Sequence, residues 1–538
     1  MKNVEFNLLD ESWIRVLLPD GSVKEVGIRD VLLHASDYVD LAGELPIQDI
    51  AVLRLLLAIL HTVFSPTDEE GCHAMFSSTD DALIQWSELW NQGSFPEKPL
   101  EEYLEKWRQR FWLFHPERPF WQVPEAAIGT EYGAAKLNGE LSESSNKLRL
   151  FAAYSGEGKT AMTYAQAARW LLYVNGYDDT SSKPKAKGRP SVGAGWLGKL
   201  GLILAQGNNL FETLMLNLTL LKDGVELWGP ARPCWELEQA RSEERVEISQ
   251  PDNAAEWLTL QSRRLLLYRQ EDQVVGYRLL GGDFFDRDNA FGEQMTVWRG
   301  VQEKKNKPLV FRPRRHNSAI QFWREFPTVF TEKPDTHQPG IVRWIVTLMD
   351  AACLNNQNMV RFRIAAVEYG DKDFFITDTF SDSLTFHGQL LNEMGTWWRN
   401  VITTEIQHCE ELARQVGFLA KNLAEAAGEK EKTSTDSAQK QFYFRVDQPF
   451  RSWLYAIDPE WDEDAREENR LAWQKKAQQI AQHLGEQMVR EAGTVAFVGR
   501  MVESGSGKGK GGEEGKRHIS APEAYNLFLY KVKQIYQG

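Results

Sequence analysis

Residues 13 to 28 carry the pattern of a β-hairpin: a mostly apolar run from Trp13 to Leu18, the turn residues Pro19, Asp20 and Gly21, then an alternating run from Val23 to Ile28. From Gln48 to Phe64 the apolar residues Ile50, Leu53, Leu57 and Leu60 recur on one helical face, which predicts a buried helix. The stretch from Glu101 to Val123 is dense in aromatics (Trp107, Phe111, Trp112, Phe114, Phe120, Trp121) and reads as core packing. Residues 124 to 146 are polar, glycine-bearing and without periodicity, which predicts a long loop. A helix is expected from Thr163 to Val174. From about Asp378 strand-like alternation gives way to four long helical stretches, at 383–427, 439–457, 463–492 and 521–537, as in an antiparallel bundle. The connector from Ser504 to Lys516 mixes Gly, Ser, Lys and Glu and cannot bury a core. The expected fold class is α+β, with a large mixed α/β domain over residues 1–377 followed by a four-helix bundle over residues 378–538.

Composition narrows the function classes. With 538 residues, 42% hydrophobic and 26% charged, the chain has the apolar content of a folded globular protein. Its 62 Lys and Arg against 76 Asp and Glu leave a net charge of −14, so a phosphate backbone repels it unless cations gather locally. Two places gather them. Ser181 to Lys199 holds Lys183, Lys185, Lys187, Arg189 and Lys199 with no acid, and Arg299 to Arg315 sets Arg299, Lys304, Lys305, Lys307, Arg312, Arg314 and Arg315 against Glu303. Such runs fit phosphate contact, and also a plain solvated face.

The four cysteines, Cys72, Cys234, Cys353 and Cys409, form no CxxC pair, which points to a reducing compartment, to core thiols and away from a cysteine zinc site. The longest apolar run, Ile50 to Leu60, is interrupted by Arg54 and falls short of the roughly 18 residues that span a bilayer. The first residues, MKNVEFNLLDES, place acids where a signal peptide needs an apolar core, so a cytoplasmic protein is expected.

Catalytic patterns are sparse. Gly156-Glu157-Gly158-Lys159-Thr160 approaches the phosphate-cradling GxxxxGK[ST] loop, but Ala153 stands at its first glycine. A nucleotide hydrolase using Lys159, with Asp350 as the magnesium-holding acid, is the alternative reading. The histidines show no HExxH spacing, and His61, His73, His115 and His408 read as structural. There is no GxSxG elbow, and neither an enzyme nor a cofactor or metal is expected.

Cys353-Leu354-Asn355-Asn356-Gln357-Asn358 precedes a strand in which Val360, Phe362 and Ile364 alternate with Arg361 and Arg363. Consecutive amides at such a polar tip can hydrogen-bond base edges and fill the gap where a base pair opens. Asparagines also favour ordinary turns for backbone reasons, so both readings stand.

Four stretches, Phe6-Asn7-Leu8-Leu9-Asp10-Glu11-Ser12-Trp13-Ile14, Leu41-Ala42-Gly43-Glu44-Leu45-Pro46, Arg118-Pro119-Phe120 and Asn355 to Gln357, together resemble the CasA family, the large subunits of the type I-E CRISPR complex called Cascade. The likeness is strong over the first 65 residues, patchy to about residue 370, and a helix pattern beyond. It implies a non-catalytic subunit that works with other Cascade subunits and a guide RNA, inspects double-stranded DNA for a protospacer-adjacent motif from the minor groove, and starts strand separation. It also implies recruitment of a helicase-nuclease once the DNA is open. By this resemblance Gln357, with Asn355 and Asn356, is a wedge, and Gly193-Ala194-Gly195 is a glycine-rich loop that approaches a groove only about 6 Å wide. Phe151 is implied to meet the guide RNA, with Lys159 beside it, and Arg278 is placed by position where the family has a motif-reading lysine. Arg361, Arg363 and both basic patches join the implied DNA surface.

Overall fold

The computed structural model describes residues 4–143, 148, 152, 154–180, 193–245, 247–304, 306–330, 336–429, 433–503 and 516–537. Phe151, Lys183, Lys185, Lys187, Arg189, Lys305 and residues 504–515 of the connector lie outside the described residues. The chain forms two compact units, one of Met1–Asn356 with Val360–Ser383 and one of Gln357–Met359 with Leu384–Gly538.

In the first unit, strand Ile14–Leu17 pairs antiparallel with Val23–Val26, and Gly21 takes the left-handed backbone (φ 85°) that the turn between them requires. Helix Pro46–Val63 is apolar on every side and buried almost throughout, as a core helix must be. Among the described residues it is the one helix long and apolar enough to cross a membrane, and 83% of it is buried inside the protein. Arg54 interrupts the apolar run without leaving the core, because its guanidinium meets both oxygens of Glu293 at 2.8 and 3.0 Å and the Trp257 carbonyl at 2.9 Å. Helix Tyr164–Tyr177 begins at a capping box formed by Thr163 and Gln166.

Two three-stranded sheets complete the frame. One orders Ile376–His387, Met359–Tyr369 and Leu202–Ala205; the other orders Arg263–Gln270, Gln273–Gly281 and Thr130–Gly133. The long loop expected over 124–146 is therefore replaced, where it is described, by a 3-10 turn at Pro124–Ile128, the strand Thr130–Gly133 and a short helix Ala134–Leu137. Its strand pairs with residues about 145 positions later (Tyr132 opposite Tyr277, ring centroids 5.5 Å apart), and local periodicity cannot report such a partner.

The thiols also depart from expectation: Cys409 is buried, Cys234 and Cys353 are half-buried, and Cys72 is exposed. The first bundle helix begins at Thr396 and not at Ser383, because Ile376–His387 continues as a strand with Leu384 and Phe386 buried at a spacing of two.

The second unit holds, among its described residues, four helices of fifteen residues or more: Thr396–Ala427, Thr433–Ala456, Glu463–Glu491 and Ala521–Ile535. They form the expected helical bundle. Its core interleaves Ile402, Ile406, Cys409, Leu412 and Val416 with Phe442, Val446 and Phe450, with Trp473, Ala477 and Leu484, and with Phe528 and Val532. Trp453 stacks on Trp473 at 5.1 Å. A strand pair, Arg500–Glu503 with Lys516–Ile519, flanks the connector and was not legible from its composition.

A buried guanidinium ties several elements of the first unit together. Arg263 is 1% exposed; its Nε donates to Asp178 Oδ2 at 2.6 Å and its Nη2 to the carbonyls of Asp179 (3.0 Å) and Gly193 (2.7 Å). Asp179 is in turn paired with Lys136 at 2.6 Å. Burial pushes the Asp178 carboxyl up, and Arg263 opposes that shift. Arg263→Met would leave Asp178 buried without its partner, and is expected to cost this unit about 3–5 kcal/mol. Urea unfolding with and without Asp178→Asn added checks this, the second change recovering part of the loss.

Candidate nucleic-acid interface

The amide tip is braced from the helix before it. Gly340–Asp350 ends with Ala352 in left-handed backbone (φ 56°), and the N–H groups of Cys353 and Leu354 both donate to the Leu348 carbonyl at 2.8 and 3.0 Å. The tip therefore joins a helix to the strand Met359–Tyr369 and is not the turn of a β-hairpin. Asn355 and Gln357 are exposed and Asn356 is half-buried. Gln357 Nε2 donates to Glu460 Oε1 at 3.3 Å, an oxygen that also accepts from Gln389 at 3.1 Å. The tip's amides are neutral, and the exposed ones can offer donors and acceptors to a partner.

Beyond the tip the strand has the alternation read from its sequence: Phe362 and Ile364 are fully buried, Arg361 is exposed and Arg363 is half-buried. Arg363 is ion-paired with Asp40 at 2.8 Å.

The 193–195 loop is held inward. Arg263 takes the Gly193 carbonyl, Gly195 N–H donates to Asp178 O at 2.9 Å, and Ala194 is 2% exposed. Gly193 has φ 64°, and a Cβ added there would meet only the Lys199 side chain, at 3.8 Å. A Cβ at Gly195 would lie 2.3 Å from the Gly176 carbonyl oxygen, so glycine there serves packing. Of the three, Gly193 is the residue with room beside it.

The second basic patch is less positive in space than along the chain. Arg312 meets Asp288 and Glu303, Arg314 meets Glu325 at 2.9 Å, and Arg315 forms a bidentate pair with Asp373 at 2.7 and 2.8 Å. Lys304 is exposed. Arg278 is also engaged, with Glu131 at 2.8 Å, with the Ala127 carbonyl, and over the Tyr268 ring at 5.2 Å. These guanidiniums are fixed in orientation and part-neutralised, so they suit directed contacts better than long-range attraction.

The phosphate-loop alternative loses its geometry. Lys159 Nζ is 3.0 Å from both oxygens of the buried Glu143, the helix after Gly156 has only four residues, and Asp350 ends a helix where a strand was needed. Among the described residues no group of three or more His, Cys, Asp or Glu could hold a metal ion. His61 is buried in the core, which lowers its pKa to about 3. Sequence reasoning passed over Arg263, which stands beside Arg264 and far along the chain from the glycine loop whose carbonyl it holds.

The glycine account separates two variants. Gly195→Ala should lose about 1–3 kcal/mol through displacement of the Gly176 backbone, whereas Gly193→Ala should lose about 1 kcal/mol from its left-handed backbone alone. Equilibrium unfolding of the two proteins side by side checks the order.

A family model described as "CRISPR-associated protein Cse1 (CRISPR_cse1)" matches residues 7–484. The CRISPR-associated protein CasA/Cse1 of Thermus thermophilus is 35% identical over 336 residues, which cover 60% of this chain and 59% of that protein's length. The crystal structure of Thermobifida fusca Cse1 superposes with a TM-score of 0.82 at 29% identity, covering 98% of each chain. A chain of a CRISPR RNA-guided surveillance complex superposes with a TM-score of 0.73 at 16% identity, covering 99% of each. With a family match running from the first strand into the third long bundle helix, this chain belongs to the Cse1/CasA family of CRISPR-associated proteins.

Proposed function

We propose that this chain is the non-catalytic large subunit of a CRISPR RNA-guided surveillance complex, working in the cytoplasm with other Cascade subunits and a guide RNA. In this reading the mixed domain, residues 1–377, inspects double-stranded DNA for a protospacer-adjacent motif, and the bundle, residues 378–538, serves assembly. The Asn355–Gln357 tip enters the stack beside the motif and starts strand separation; Gly193–Gly195, Arg278, Arg361, Arg363 and the basic residues hold the duplex. Phe151 and Lys159 face the guide RNA, and the opened complex helps recruit a helicase-nuclease.

The observation that carries this reading is the tip itself: amides held out by a helix terminus at the mouth of a strand, with Asn355 and Gln357 exposed. An amide wedge replaces some of the hydrogen bonding and stacking lost when the first pair opens, a cost of a few kcal/mol, and leaves the remaining sequence to base pairing with the guide. The minor groove distinguishes fewer base pairs than the major, so tolerance of several related motifs follows. Family membership and the likeness to a chain of a surveillance complex support the assembly part of the reading.

Asn356→Ala with Gln357→Ala should leave the complex assembled, by size-exclusion chromatography, and slow opening of motif-bearing duplex by about tenfold or more, since each 1.4 kcal/mol is tenfold. Fluorescence of a base analogue beside the motif reads the opening, and an unchanged rate would remove the wedge.

A further inference from the structure

Arg118-Pro119-Phe120 helps to carry the family resemblance and takes no part in the function proposed above. In space it forms one wall of a cavity of about 50 Å³ whose lining includes Arg110, Trp121, Cys234 and Arg241. Three arginines line this cavity and, among the described residues, no carboxylate does. Ala240 on its wall is exposed, so the cavity opens to solvent.

The three guanidiniums are answered unequally. Arg241 meets Glu256 at 2.5 Å and Asp283 at 3.5 Å. The Arg118 side chain has, among the described residues, one bond, from Nη2 to the Glu238 carbonyl, and its Nη1 is buried without a partner. Arg110 makes, among the described residues, no side-chain hydrogen bond or ion pair. The acids nearest in the chain are engaged elsewhere or face solvent. Glu105 is paired with Arg29 and Arg108, Glu236 with His73, and Glu244 accepts from the Gly281 N–H. Glu117, Glu125, Glu238 and Glu243 are exposed and make no ion pair among the described residues. Cys234 adds no negative charge, because burial pushes its thiol up to about 12. Burial, and then the Arg118 charge, lower the Arg110 pKa, as expected of like charges held close.

The walls are fixed by contacts that leave these donors free. Phe111, next to Arg110, is fully buried against the Phe120 and Trp235 rings, with centroids 5.3 and 5.4 Å away. His115 Nδ1 accepts from the Arg118 N–H at 3.0 Å, and the Gln122 side chain donates to the Leu113 carbonyl at 2.8 Å. On the other wall Trp235 Nε1 donates to Tyr103 Oη at 2.7 Å, and that hydroxyl donates to Glu236 at 2.6 Å. Trp121 is 9% exposed, holds a left-handed backbone (φ 58°) that a bulky residue rarely adopts, and has its Nε1 buried without a partner.

We infer that this cavity is a binding site for one phosphate dianion, held by Arg110 and Arg118 with Trp121 Nε1 as a further donor. Two guanidiniums without a carboxylate match the charge of about −1.5 to −2 that a phosphate monoester carries near pH 7, and their planar forks suit its oxygens. The cavity exceeds the roughly 10–15 Å³ that one water needs and falls far below the roughly 300 Å³ of a cofactor pocket. It therefore admits the phosphate group and leaves outside whatever is esterified to it. Free phosphate and the terminal phosphate of a nucleotide share this chemistry. The site stands on these residues alone and does not depend on the DNA reading.

Equilibrium dialysis of the full chain at fixed ionic strength tests it, with radiolabelled inorganic phosphate and, separately, with adenosine 5′-monophosphate. Arg110→Gln and Arg118→Gln should each weaken binding by about tenfold or more, and Trp121→Phe should weaken it in the same direction. Lys98→Gln, on an exposed helix face, should leave it unchanged. Thermal unfolding gives a second readout. Phosphate should raise the wild-type Tm above its value in chloride. Arg110→Gln should abolish that rise without lowering the Tm in chloride, because Arg110 has no partner to lose. That variant keeps the test open should Arg118→Gln, which gives up the Glu238 bond, fold poorly. Binding of the nucleotide without inorganic phosphate assigns the site to the esterified group, and the reverse assigns it to the free anion. No binding of either by the wild-type chain, or binding that survives both arginine changes, overturns the site.

Discussion

A single buried guanidinium organises the part of the first unit on which the proposed interface depends. Arg263 is taken out of water at one end of a strand, and such a charge is tolerated only when every donor finds a partner. Its partners come from the end of helix Tyr164–Tyr177 and from the 193–195 loop, so satisfying one side chain brings the glycine loop against the sheet. Asn175 closes the same corner by bonding the Arg263 carbonyl and the Ser262 N–H at 3.1 and 3.0 Å. The position of Lys199, four residues beyond Gly195, follows from that closure.

Arg169 does comparable work near the N-terminus. Its guanidinium meets Glu44 through two nitrogens at 3.0 and 2.5 Å, Glu25 at 2.9 Å and the Trp13 carbonyl at 2.5 Å. Two of the stretches that carry the family resemblance, Phe6 to Ile14 and Leu41 to Pro46, therefore converge on one arginine. Gly43 has its own reason, since an added Cβ would lie 2.4 Å from Gln48 Oε1 and 2.6 Å from Asp49 Oδ1. These motif residues build the frame; the amides of the tip are the ones left facing solvent.

Charge shows most plainly how folding alters a linear reading. Along the chain Arg299 to Arg315 opposes seven cations to one acid, but in space Asp288, Glu325 and Asp373 arrive from outside that window to meet its arginines. Among the described residues, the cations without a carboxylate partner include Arg287, outside the window, and Lys199, the last residue of the other patch. A net charge of −14 is compatible with an anion site because potential depends on which charges remain unpaired at one place.

The N-terminal hairpin, the core helix, the helix after Thr163, the strand beyond the tip and the C-terminal bundle were legible in the sequence, because each declares itself through neighbouring residues at a period of two or near 3.6. The tip's exposed amides were legible for the same reason: a polar run between an apolar helix and an alternating strand. The strand Thr130–Gly133 was not, nor was the inward set of the glycine loop, nor the pairing of Arg312, Arg314, Arg315 and Arg363, because each depends on a partner far away in the chain. Sequence alone determined which segments become helices or strands and which residues could carry charge or amides. Only the tertiary structure decided which charges cancel and which stay free, since an ion pair acts over a few ångströms of space and is indifferent to distance along the backbone.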